Sequence, residues 1–349
     1  MHFRDTPSYS FDDVLLVPQH SKIASRSDVD LSTQLGNNLK LKLPLLSANM
    51  DTVTEFEMAF AMGRAGGAGV MHRFAPLEEQ ESWVRQCGSC PTPAILSVGV
   101  DEKETMKILK ATVGDEDTLN FGLAAVCVDV AHGDHQRVLD IVKKIRKTYP
   151  KLDIIAGNVA TKSGAFRLWQ AGANIIKVGI GPGSVCSTRI VSGHGMPQLS
   201  AVIEISACVS PLGASVIADG GIRYPGDIVK ALAAGADAVM IGSLLAATDE
   251  APGERIVEHG ITFKTFRGMA SQDAQKDRST KKPRVEGVTA KVPYRGPVCD
   301  TLDNLEAGIR SGLSYSGANN LAELRDVAEF VVVTGNTLKE SHPHHPYRL

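Results

Sequence analysis

Short apolar runs recur along the chain, and amphipathic segments separate them. Eight runs, each closed by Gly, Asn, Asp or Ser, lie at 43–50, 67–74, 93–100, 124–133, 152–161, 174–183, 214–222 and 237–246. They are rich in Val, Ile, Leu and Ala and lack the strict alternation of a half-exposed strand, so they predict strands buried on both faces. The intervening HQRVLDIVKKIRKTYP, KSGAFRLWQAGA, QLSAVIEISACV and PGDIVKALAAGA carry helical spacing. Several end in Ala-Gly-Ala before the next strand, where glycine can take the left-handed helix-ending conformation. Eight strand–helix units make the fold class α/β, a (β/α)8 TIM barrel. A doubly wound open sheet is the alternative. It calls for a dinucleotide fingerprint after an early strand, and none is present.

About 40 residues precede the first run and roughly 100 follow the eighth. The stretch 268–296 is polar, basic and punctuated by Gly and Pro. It reads as a mobile lid over the barrel mouth, with a short hairpin at its base. The expectation is one catalytic barrel domain over 1–349 without a regulatory insert.

Composition narrows the class. The chain has 349 residues, 43% hydrophobic and 22% charged, which suits a globular protein. A net charge of −2 gives no electrostatic case for nucleic acid or a membrane surface. The N-terminus lacks a signal-peptide pattern, and no run reaches the ~18 apolar residues of a membrane span. Free thiols at Cys87, Cys90, Cys127, Cys186, Cys208 and Cys299 fit a cytoplasmic location.

In such a barrel the chemistry sits at the carboxyl ends of the strands. This singles out Ser47, Asn49 and Asp51 after the first strand. Later strands offer Asp129 and His132, Asn158 and Thr161, the loop GIGPGSVCSTR, Asp219-Gly220-Gly221, and Gly242-Ser243. Loops after the last two strands commonly cradle phosphate through backbone N–H groups. Asp219 suits a ribose hydroxyl pair, because a carboxylate accepts two hydrogen bonds. The ligand is therefore expected to be a phosphorylated ribose; the bland alternative is that Asp-Gly-Gly is only a tight turn. Cys186 stands at this mouth as a candidate nucleophile, metal ligand, redox sensor or small buried side chain. The CGSC pair at 87–90 has no second pair to complete a zinc site. Cys127 and Cys208 read as core. His194 lies on a loop, and the histidines of the tail SHPHHPYRL read as a solvated or docking segment.

The chain resembles the IMP dehydrogenase / GMP reductase family over essentially its whole length. The resemblance rests on SFDDVLLVPQ, LPLLSANMDTV, VDVAHG, AGNVAT, KVGIGPGSVCSTR, PQLSAV, IADGGIRYPGD, VMIGSLLA, FRGMAS and EGVTAKVPYRG. It implies that Cys186 attacks C2 of a purine nucleotide, GMP or IMP, to give a covalent thioimidate, while hydride moves between C2 and a nicotinamide. It further implies Thr188 and Glu286 as proton carriers. Ser184, Asp219, Gly220, Gly221, Gly242, Ser243, Gly268, Met269, Ala270, Arg284 and Gly287 would contact the nucleotide. Ser25, Arg26, Arg73, Asp129, Val130, Ala131, Gly179, Ile180, Ser311 and Ser314 would contact the cofactor. Gly181, Gly183, Cys186 and Arg189 match a potassium loop, and the family's usual assembly is a homotetramer.

Within the family, three features point to a reductase that converts GMP to IMP and ammonia with NADPH. RFAPLEEQESWVRQ runs directly from strand to helix, without the regulatory module most dehydrogenases insert. The Arg-Tyr pair that activates water in dehydrogenases is missing: Arg278 is followed by Ser279, and no tyrosine stands between Met269 and Tyr294. SRSDVD at 25–30 resembles the reductase segment whose arginine meets a 2′-phosphate. Against these, IADGGIRYPGD, GSLLAATDEAPGE, FRGMAS, Gln272 and the tail read more like a dehydrogenase, which oxidises IMP to XMP with NAD. Arg73 replaces the reductase lysine. Two other rivals are a nucleotide-binding regulator without turnover and a flavin-dependent barrel oxidoreductase.

Overall fold

In the computed structural model, residues 3–89, 92–114, 123–276 and 285–341 are described. Eight parallel strands close into a barrel. They are β1 (Leu45–Ser47), β2 (Ala68–Met71), β3 (Ala94–Val98), β4 (Leu123–Asp129), β5 (Asp153–Val159), β6 (Ile175–Val178), β7 (Ser215–Asp219) and β8 (Ala238–Ile241). Closure is made where β8 pairs with β1, Val239 opposite Leu45 and Ile241 opposite Ser47. Seven of the eight predicted runs contain their strand, and the fourth, 124–133, covers all of its strand but Leu123. The reason is the one read from the pattern: β2, β3, β6 and β8 are buried at every position, because helices cover the face that the barrel interior does not.

The principal outer helices are α1 (Phe56–Arg64), α2 (Leu77–Gly88), α3 (Glu102–Val113), α4 (Gln136–Thr148), α5 (Lys162–Gln170), α6 (Gln198–Val209), α7 (Pro225–Ala233) and α8 (Val298–Ser316). α4 shows how sequence sets their packing. Val138, Ile141, Val142 and Ile145 are its buried residues, spaced on one face, while Lys143, Lys144 and Lys147 stay in solvent or at its edge. The Ala-Gly-Ala ends behave as expected. Gly172 has φ +111, and a Cβ there would lie 2.7 Å from the Arg146 side chain, so the chain turns back only with glycine.

The N-terminal segment does two jobs. Val14–Leu16 pairs antiparallel with Phe330–Val332, tying the two ends of the chain together. Thr33–Leu35 and Leu39–Leu41 form a hairpin across the amino ends of the barrel strands. Its turn amides Asn37 and Asn38 donate to the fully buried Asp153 carboxylate at 3.0 and 2.7 Å. This plugs the end opposite the expected site.

The region after β8 holds more strand than the sequence pattern implied. β9 (Arg255–Glu258), β10 (Ile261–Arg267) and β11 (Thr289–Pro293) form an antiparallel sheet beside the barrel mouth. In the stretch 268–296, where a short hairpin was expected, β11 pairs instead with β10, which precedes the stretch. The centre of the predicted lid, including Arg278, Ser279 and Arg284, lies outside the described residues, as do Cys90 and the tail histidines. Among the described residues, no helix is long and apolar enough to cross a membrane.

Candidate active site

The carboxyl ends of the barrel strands surround a cavity of about 570 Å³. Its floor is polar. Lys177, on β6, is 2% exposed. Its ammonium donates to Asp129 Oδ1 at 3.0 Å and to Asp219 Oδ2 at 2.9 Å. Asn158 Nδ2 donates to the same Asp219 oxygen at 2.9 Å. Burial is the largest single influence and works to raise the Asp129 carboxyl, but the Lys177 ammonium, Asn49 and the Arg73 charge together outweigh it and hold the group below the usual carboxylate range. Lys177 is itself pushed down by burial and pulled up further by Asp219 and Asp129, so it stays charged.

Gln198 sets the backbone around this floor. Its Nε2 donates to the carbonyls of Val178 and Asp219, at 2.8 and 3.1 Å, and so clamps the ends of β6 and β7. The close approach needs glycine beside it: a Cβ on Gly179, φ +149, would sit 2.1 Å from the Asp219 carbonyl oxygen. Gly220 packs likewise on Pro182 and Gly183. The Asp-Gly-Gly turn therefore joins the cysteine loop physically. Its tight-turn role and a ligand-binding role are compatible.

The cysteine side of the cavity holds a short chain of polar atoms. Cys186 Sγ donates to Thr188 Oγ1 at 3.3 Å, and that hydroxyl donates to Glu286 Oε2 at 3.0 Å. Backbone pairing holds the three together. Ser187 N–H reaches the Glu286 carbonyl at 3.2 Å, Val288 N–H reaches Val185 at 3.0 Å, and Glu286 N–H reaches Ala270 at 3.0 Å. Residues 286–288 are thus threaded between the cysteine loop and the Met269–Ala270 loop. Cys127, by contrast, is core: burial pushes its thiol up to about 12, despite the nearby Lys177 charge.

Most of the residues expected at the site line this one cavity. They are Asp129, Val130, Ala131, Gly179, Ile180, Gly181, Gly183, Ser184, Cys186, Thr188, Arg189, Asp219, Gly220, Gly221, Gly242, Ser243, Gly268, Met269, Ala270 and Glu286. Gly287 adjoins it through its bridge to Cys186. Five others lie elsewhere. Ser25 caps a 3-10 turn at Arg26–Asp28, which packs on α8, where Ser311 and Ser314 lie. Arg73 stacks over Phe74 at 4.3 Å and does not line the cavity. His132 and His194 are exposed.

The residues expected as a potassium loop contact one another and the Met196 carbonyl. The Gly183 carbonyl accepts the Cys186 N–H at 3.1 Å, and the Arg189 side chain lies across Gly181 and donates to the Met196 carbonyl at 2.6 Å. Among the described residues, no group of three or more His, Cys, Asp or Glu could hold a metal ion.

Sequence reasoning missed Lys177, Gln198 and the N-terminal Ser10, Phe11 and Asp12, all of which line the cavity. For Lys177 a signal existed: a lysine inside the otherwise apolar IIKV.

A family model described as IMP dehydrogenase / GMP reductase domain matches residues 8–344. The chain belongs to the IMP dehydrogenase / GMP reductase family. It is an oxidoreductase of that family, and a purine nucleotide substrate fits the family. Among curated relatives, the inosine-5'-monophosphate dehydrogenase of Borreliella burgdorferi is 36% identical over 394 residues, covering 97% of each chain. That of Bacillus subtilis is 36% identical over 464 residues, covering 96% of this chain and 95% of the relative. That of Nitrosopumilus maritimus is 33% identical over 473 residues, covering 99% of both. The last two alignments run more than a hundred positions beyond the 349 residues of this chain, so those relatives carry residues with no counterpart here.

Proposed function

We propose that the protein oxidises IMP at C2 to XMP with NAD, through a thioimidate on Cys186. The Cys186–Thr188–Glu286 chain at the cavity mouth carries the reading, and the names of the relatives give it its direction. The Cys186 sulfur adds to C2, and its proton passes to Thr188 and Glu286. Bound NAD supplies an acceptor for the hydride that leaves C2. Water then adds at C2, giving its proton to the same relay, and the C2–S bond breaks. The sum is IMP, NAD and water going to XMP, NADH and a proton. Asp219 accepts from the ribose hydroxyls, while Gly221, Gly242 and Ser243 receive the phosphate. Asp129, Val130 and Ala131 face the nicotinamide side. The covalent step divides one hard substitution at a poor electrophile into two easier ones.

The second reading is the reverse sense, GMP to IMP and ammonia with NADPH. The absence of an Arg-Tyr pair at Arg278-Ser279 favours it, because hydrolysis needs an activated water and ammonia release does not. A paired assay separates the two, with Cys186→Ala as control. XMP and NADH formed from IMP and NAD support the dehydrogenase. Ammonia and oxidised nicotinamide formed only from GMP and NADPH overturn it in favour of the reductase. Turnover by Cys186→Ala in either arm removes the thioimidate from both.

A further inference from the structure

The buried cation at the floor of the cavity belongs to no role assigned above. We infer that Lys177 is a positioning residue: it fixes the Asp219 carboxylate for the ribose diol and ties it to Asp129 on the cofactor side. This rests on the proposed reading of the cavity as a nucleotide site.

The argument is geometric. One ammonium, 2% exposed, touches a carboxylate from β4 and one from β7. Because both oxygens are hydrogen-bonded to the same nitrogen, they lie within about 6 Å of each other. Without the cation these two carboxylates would face each other in a site that excludes most water, and they would repel. With it, Lys177 and Asn158 both hold Asp219 Oδ2, and neither binds Oδ1. The carboxylate is thus held by one edge. Its other oxygen is left to accept from a ligand entering from the cavity. A vicinal diol needs such a fixed acceptor; a deoxyribose cannot use it fully.

Lys177 does not reach the reacting carbon in this scheme. Its loss therefore acts on sugar recognition before it acts on chemistry. A lysine that only filled space in β6 would, when replaced, weaken every nucleotide by a similar factor. A positioning lysine weakens ribonucleotides selectively.

The experiment measures dissociation constants for IMP and 2′-deoxy-IMP by calorimetry, without cofactor, on the full-length protein. Wild type should prefer IMP by about tenfold or more, the value of roughly one charge-assisted hydrogen bond. Lys177→Met should bring that preference below about threefold, chiefly by weakening IMP. Lys177→Gln, which keeps a polar end, is measured beside it in case the Met variant does not fold. Retention of the full preference in a folded variant overturns the role of Lys177. Absence of any preference in wild type overturns the ribose reading of Asp219 itself, and with it the inference.

Discussion

Thr188→Val removes one oxygen and keeps nearly the same shape, so it isolates the relay between the nucleophile and the lid base. Thr188 begins the short helix Thr188–Ser192 and is half-buried. Its hydroxyl makes two contacts of interest, at 3.3 Å to Cys186 Sγ and 3.0 Å to Glu286 Oε2. Glu286 is itself partly exposed, so water can satisfy its carboxylate after the change. The loss of stability should then stay near about 1 kcal/mol, the net value of an ordinary hydrogen bond. The kinetic effect should be larger. A positioned proton carrier contributes roughly 10²–10⁴ in rate, or about 3–5 kcal/mol of barrier. The gap between these two magnitudes is what makes the variant informative. Rapid mixing of enzyme, IMP and NAD should show a slowed first turnover of NADH, because the Cys186 proton leaves through the same hydroxyl. Slow steady-state release of XMP should follow, because the adduct waits for water activation. Nucleotide affinity should change by less than about threefold. A steady-state rate within about threefold of wild type would show that protons leave the site by another route.

Other expected outcomes follow from particular contacts. Gly179→Ala would place a Cβ 2.1 Å from the Asp219 carbonyl oxygen at φ +149. It should cost about 3 kcal/mol of stability or more, seen as a lowered melting temperature, together with loss of nucleotide binding; an unchanged melting temperature would mean that β7 yields at no cost. Thiol labelling at pH 8, followed by peptide mapping, should leave Cys127 untouched, since burial raises it to about 12. Cys186 should be modified under the same conditions and protected by bound nucleotide; labelling of Cys127 in the folded protein would refute its placement. Acid unfolding should be sensitive to Lys177. The folded Asp129 carboxyl is depressed, so its ionisation stabilises the fold above the unfolded value of about 3.9 and loses that contribution as pH falls through the lower folded value. Lys177→Met should therefore move the acid limb, followed by circular dichroism, to higher pH. An unmoved limb would show that Asp129 does not depend on that ammonium.

The barrel was legible because its strands are buried on both faces. That condition writes itself as unbroken apolar runs, and closure leaves the polar residues at the strand ends. Asp129, Cys186 and Asp219 were found by that rule. Lys177 was not, because its meaning lies in partners 48 and 42 residues away, at the ends of other strands. A lysine in an apolar run violates the pattern locally, and only the closed barrel shows that two carboxylates resolve the violation. The β9–β11 sheet was legible only in part for a different reason. It packs with one face, as in Ile261–Arg267, where the buried positions are only Lys264 and Phe266, so its apolar signal is weak. Lys264 illustrates the limit further: it is 2% exposed, and its ammonium is satisfied by backbone carbonyls, among them Thr248 at 2.9 Å. No residue type in the sequence announces a carbonyl acceptor. Ser25, Arg26, Ser311 and Ser314 were grouped by resemblance with the cofactor; the Arg26–Asp28 turn does pack on α8, but none of the four lines the cavity with Asp129 and Val130.

The direction of the reaction is then a question about protons. Addition of a thiol to C2 and movement of hydride are common to both senses. The difference is whether a proton is taken from entering water or given to leaving ammonia. A Thr188–Glu286 relay can do either, so the geometry on this side of the cavity is neutral between them. The deciding groups must lie where the two senses differ, and the sequence places the difference at Ser279, which follows Arg278 where dehydrogenases of this family usually carry tyrosine. Ser279→Tyr recreates the Arg-Tyr pair without touching the cysteine loop. If the relay alone activates water poorly, the variant should form XMP from IMP and NAD about tenfold faster in steady state, with the first turnover of hydride unchanged. A rate that does not move would mean that Thr188 and Glu286 already supply the base for hydrolysis. The missing pair would then carry no information about direction, and the case for the reductase would lose its main support.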